Sequence, residues 1–101
     1  MNMDTVNSVA DKYGIDISEN DISINKSIAG LRGSTASDQS ILLYRGAFEN
    51  EEQLAKTLVH EQYHVADLQA GMSYPETYDD GSPWEQAAED FANAWWEGLG
   101  G

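Results

Sequence analysis

The sequence predicts a small α+β domain in the order helix, strands, helix, loop, helix. Two observations lead there. Apolar residues recur at helical spacing near the N-terminus and again through the second half, while short apolar or alternating runs occupy residues 21–44 between them. The 101 residues, 41% hydrophobic and 10% aromatic, are enough for one modest core and leave little room for a second, so 1–101 reads as a single domain.

The first helix is expected near Thr5–Tyr13, where Val6, Val9 and Tyr13 share a face and Gly14 supplies a stop. Asp21–Asn25 alternates polar and apolar residues, as a half-buried strand does. Gly30–Gly33 is a further short strand candidate, Ser34–Asp38 is turn-rich, and Gln39–Tyr44 is the stronger strand, giving a sheet of two or three strands. That last strand could be either a sheet edge able to bind an extended peptide or an interior strand. Asn50 with Gln53 forms a capping-box pattern, preceded by Phe48 as a hydrophobic staple. The helix it opens runs to Ala70 and the stop at Gly71, with Leu54, Leu58, Val65 and Leu68 along one side. A loop over Gly71–Ser82 leads to a final helix with Pro83 at its first position and Trp84, Ala88, Phe91 and Trp95 as its apolar stripe.

Composition excludes several classes of function. Without cysteine there are no disulfides, thiol nucleophiles, zinc knuckles or iron–sulfur clusters. Eighteen acids against five bases give a net charge of −13, which repels phosphate backbones and anionic lipid, so neither nucleic acid nor a membrane is an expected partner. The N-terminus shows neither the basic region nor the apolar core of a signal peptide, and no apolar run spans a bilayer. The expected setting is cytoplasmic, or delivery within a larger bacterial or phage protein. The five bases all precede Thr57, whereas Thr57–Gly101 carries nine acids. That asymmetry fits either a solubilising surface or a half that holds a cation.

The chemistry concentrates in His60-Glu61-Gln62-Tyr63-His64, an HExxH sequence inside the expected second helix. Positions four apart differ by about 40° around a helix, so both imidazoles can reach one metal ion. Glu61 lies about 100° from His60, where a carboxylate can act on metal-activated water without being a ligand. Chance is a poor explanation. Two histidines fall four apart in 97 of 5,050 placements, and nine glutamates in 101 residues bring the pattern to roughly one in 600.

A catalytic zinc site normally uses three protein ligands, and with no cysteine or further histidine the third must be a carboxylate. Glu76, Asp79, Asp80, Glu85, Glu89 and Asp90 are the downstream candidates. Glu85 is the best placed, in the first turn of the last helix beside apolar Trp84. Its competing role is structural, since Ser82-Pro83-Trp84-Glu85 is itself a capping box. Glu89, one turn later, could accept a hydrogen bond from a ligand histidine, while Asp90 points away.

An HExxH motif followed by a helix-borne glutamate resembles the gluzincin arrangement of zinc metallopeptidases. The segment Glu85-Gln86-Ala87-Ala88-Glu89-Asp90-Phe91-Ala92 looks like the ExxAxxFA pattern of the ImmA/IrrE-type metallopeptidases. That resemblance, covering roughly Thr57–Trp96, implies Zn²⁺ as cofactor, His60, His64 and Glu85 as ligands, and Glu89 as support for a histidine. Where the ImmA/IrrE-type family continues into an LLxP-like segment, this chain reads Trp95-Trp96-Glu97-Gly98. The order of elements is also similar to minimal gluzincins and to metallopeptidase domains at the ends of bacterial polymorphic toxins, which implies a small zincin-like fold and, as a further partner, a cognate inhibitor or immunity protein.

The function expected is zinc-dependent hydrolysis of peptide bonds in a protein or peptide substrate, with Glu61 as general base. Tyr74, Tyr78 and Arg32 are candidates to steady the oxyanion, while Tyr63 and the three tryptophans read as packing. Two rival readings are a zinc-stabilised interaction domain without turnover and an acidic mimic of nucleic acid.

Overall fold

A computed structural model describes residues 2–25, 32–36, 38–71 and 83–99. Helix α1 spans Met3–Tyr13, β1 Ile22–Asn25, β2 Gly33–Thr35, β3 Ile41–Tyr44, α2 Glu51–Gln69 and α3 Pro83–Gly98. A 3₁₀ turn at Arg45–Phe48 joins β3 to α2. Three helices and a three-stranded mixed sheet thus form a compact α+β structure.

Local chemistry sets the helix ends. Asn2 caps α1 by accepting from the Thr5 amide at 2.9 Å, which starts the helix two residues before the expected Thr5. Gly14 closes it with a φ of 72°, a conformation that glycine adopts without steric cost. Asn50 accepts from the Gln53 amide at 2.8 Å and opens α2 as the capping pattern predicts.

The sheet order is β1-β3-β2, with β1 parallel and β2 antiparallel to β3. The strand ending at Tyr44 is therefore interior, which rules out the edge alternative. The second strand is also displaced from its expected position. Gly33, Ser34 and Thr35 pair with Leu43, Leu42 and Ile41, so two residues assigned to a turn are strand, and beyond them Ala36 exchanges backbone hydrogen bonds with Gln39 and Ser40. Pairing with β3 decides this, because a three-residue strand carries too little periodicity to announce itself.

Helix α2 is the axis of the molecule, packed against α1, α3, β2, β3 and the 3₁₀ turn. Five consecutive residues, Thr57 to Glu61, are buried on it. A helix buried all round must be enclosed by other elements, and here sheet and helices close around its middle. Val6, Val9, Ile41, Leu43, Leu54 and Leu58 form the apolar centre, with Phe48 half-buried against it. Among the described residues no helix is long and apolar enough to cross a membrane.

The face of α3 turned inward differs from the expected stripe. Trp84, Ala88 and Ala92 are buried, whereas Phe91 is 51% exposed and touches Tyr63 at 5.2 Å between ring centroids. At about 100° per residue, replacing Phe91 by Ala92 rotates the buried arc toward Glu85 and Glu89. Facing those carboxylates to α2 takes precedence over burying a phenyl ring.

Gly33 lets β2 lie directly on α2. A Cβ at that position would stand 2.9 Å from Thr57 Cγ2 and 3.2 Å from Glu61 Cγ and Oε2. Gly33→Ala is expected to destabilise the fold by about 1–3 kcal/mol, read as a lower Tm in thermal melting. An unchanged Tm would mean that the strand does not press on the helix.

Candidate metal centre

The site is built from two successive turns of α2, the first two turns of α3 and strand β2. His60 and His64 project from α2 on one side, with ring centroids 4.9 Å apart and near-perpendicular planes. Glu85 faces both: its Oε2 lies 3.0 Å from His60 Nε2 and its Oε1 2.6 Å from His64 Nε2. One donor atom from each of His60, His64 and Glu85 lies within 4.8 Å of the others. The capping role weighed for Glu85 involves Ser82, outside the described residues.

Glu89 sits one turn further along α3, and its Oε2 lies 3.1 Å from His60 Nδ1. Carboxylates only accept hydrogen bonds, so each ring nitrogen of His60 faces an acceptor, Glu89 at Nδ1 and Glu85 at Nε2; the neutral tautomer that donates Nδ1–H to Glu89 is the one whose Nε2 is available to a cation. Burial pushes the His64 imidazole below its ordinary value, against the opposing pull of Glu85, and so favours the neutral form that ligates metals. Two imidazole nitrogens and a carboxylate thus converge on a common space, where a cation would take the place of the protons they share. Tetrahedral zinc ligands at 2.0–2.2 Å stand about 3.3 Å apart, somewhat wider than the two His–Glu separations of 3.0 and 2.6 Å, so Glu85 would draw back slightly to admit an ion. The residues fit a divalent cation, and the donor set alone does not single out zinc.

Glu61 is not a member of the trio. It is 3% exposed, and its Oε2 lies 3.9 Å from His60 Nε2. Thr35 Oγ1 lies 2.8 Å from Glu61 Oε1 and 3.2 Å from the Glu61 carbonyl oxygen, so its hydroxyl donates to Glu61 from β2. Burial pushes the Glu61 carboxyl up to about 7; His60, the Thr35 hydroxyl and Arg32 pull it the other way.

Of the residues singled out in the sequence, His60, Glu61, His64, Glu85 and Glu89 come together here. Arg32 reaches the rim, where its guanidinium lies 3.6 Å from Glu89 and 3.2 Å from the Gln53 side-chain oxygen. Tyr63 is half-buried against Phe91, consistent with packing. Asp90 is exposed and accepts from Gln86. Tyr74 and Tyr78, with Glu76, Asp79 and Asp80, lie outside the described residues. Two contributors have no sequence signal: Thr35, hidden in a segment that looks like a turn, and Trp84, whose indole stacks on His64.

Comparison with protein-family models, curated proteins and solved structures finds no match to this chain.

Glu61 makes the stability of the metal-free fold depend on pH. Its carboxyl titrates near 7 in the fold against 4.5 ordinarily, so its contribution is complete below about pH 4 and is lost as pH rises through 7. Glu61→Gln removes that loss and keeps an acceptor for Thr35. In chelator-treated protein, the variant is expected to exceed the parent by on the order of 2–3 kcal/mol at pH 8.5 and to match it near pH 4, measured by urea unfolding.

Proposed function

We propose that this chain is a small zinc-dependent metallopeptidase of zincin-like architecture that hydrolyses peptide bonds in a protein or peptide substrate. The observation that carries this reading is the convergence of His60, His64 and Glu85, with Glu61 beside them and outside the trio. A purely structural metal site has no use for a buried carboxylate that is held off the ligand set. Further support comes from the HExxH motif and the Glu85–Ala92 segment, which resemble the gluzincin and ImmA/IrrE-type patterns.

His60, His64 and Glu85 hold the ion in this reading. When bound, Zn²⁺ polarises the scissile carbonyl and makes water acidic enough to attack near neutral pH. Glu61 takes the proton from that water as oxygen adds to the carbonyl carbon, then passes it to the nitrogen as the C–N bond breaks. Thr35 occupies Glu61 Oε1 and so leaves Oε2 on the side of His60. Glu89 fixes the tautomer and plane of His60, and Arg32 ties Glu89 to the strand side of the site. Arg32 is also a cation near enough to the rim to steady an oxyanion.

Metal analysis and proteolysis assays test the proposal together. The purified chain is expected to carry one zinc, while His60→Ala and Glu85→Ala lose it or bind it at least tenfold more weakly. Glu61→Gln is expected to keep zinc and to lose hydrolysis of an unfolded protein substrate by about 10²–10⁴-fold. Undiminished turnover in that variant removes Glu61 as the base, and failure of the reconstituted parent to bind zinc removes the metal centre.

A further inference from the structure

The two histidines of the proposed centre are steadied in different ways. His60 has the usual arrangement, with its second ring nitrogen against the Glu89 carboxylate at 3.1 Å. His64 has no such partner: it is 0% exposed, and its Nδ1 is buried without a hydrogen-bond partner among the described residues. The Trp84 indole instead lies flat against the imidazole, with centroids 4.8 Å apart and planes inclined by 10°.

Trp84 and Glu85 are consecutive, so the first turn of α3 grips His64 from two directions at once. Glu85 meets the ring edge at Nε2 and Trp84 covers its face. A hydrogen bond to Nδ1 would fix the plane of the ring by direction. A face-to-face contact fixes it by area, because rotating the imidazole out of plane separates the two rings.

We propose that Trp84 is the positioning residue of His64, its indole stack doing for this histidine what the Glu89 carboxylate does for His60, so that Trp84 emission reports occupancy of the centre. The proposal rests on the reading of His60, His64 and Glu85 as metal ligands. A cation bound at Nε2 withdraws electron density from the imidazole, and the indole stacked on that ring senses the change. Trp95 and Trp96 have no ring contact with His64 among the described residues, so their emission is expected to stay constant.

The test uses the full chain and its Trp84→Phe, Trp84→Leu and Trp95→Phe variants, with Zn²⁺ as the probe. Affinity is read by competition with a chromophoric chelator and occupancy by intrinsic fluorescence. Trp84→Phe, which keeps an aromatic face, is expected to bind Zn²⁺ within about threefold of the parent. Trp84→Leu, apolar but unable to stack, is expected to lose 10–100-fold. The emission change on adding Zn²⁺ should vanish in Trp84→Phe and persist in Trp95→Phe. Parental affinity in Trp84→Leu overturns the proposal, as does an emission change that survives in Trp84→Phe. Should Trp84→Leu not fold, the fluorescence of Trp84→Phe still decides. Failure of the parent itself to bind Zn²⁺ is a separate result, which overturns the centre and the proposal with it.

Discussion

Burying ionisable side chains at the middle of α2 is the constraint that organises this molecule. His60, Glu61 and His64 lie within the part of the helix that is enclosed on all sides. Burying a polar group without a partner is costly, so the elements packed over these side chains must supply partners for them. Helix α3 supplies Glu85 and Glu89, and β2 supplies Thr35. The contacts that satisfy these groups also dock a helix and a strand onto the central helix. Fold and site are held by the same side chains.

That dependence explains choices that otherwise look unfavourable. Phe91 stays exposed while alanines occupy the inward face of α3, because small side chains let the helix approach until its carboxylates reach the histidines. Gly33 stands where any side chain would push β2 away from Thr57 and Glu61. In each case apolar burial is given up for a polar contact. The outlying ion pairs are of another kind: Lys12 with Glu51 is largely solvated, Lys56 with Glu52 is a partly exposed pair within one helix, and both bear little on which structure forms.

The parts legible in the sequence are those whose signals are local. Asn2, Gly14 and Asn50 act within one turn of themselves, and the spacing of His60 and His64 has meaning once a helix is granted. Glu85 and Glu89 could be picked out because one helical turn separates them on a flank of an apolar stripe. The strand at Gly33–Thr35 could not, since its three residues gain their identity from β3 across a turn. Thr35 as partner of Glu61 was invisible for the same reason, being 26 positions away on another element. Phe91 outranks Ala92 in hydrophobicity, yet carboxylate placement and not hydrophobicity sets the rotation of α3.

The docking of α3 has a kinetic consequence. Ala88 and Ala92 bury little area, so the helix docks through Trp84, through Trp95 and Trp96 packed on the core, and through the carboxylates that meet the histidines. An ion held by His60, His64 and Glu85 would then escape through partial detachment of α3, which withdraws Glu85 and opens a route to solvent in a single motion. Its residence time would follow the opening rate of that helix, and amide exchange along α3 would slow in step with metal loading.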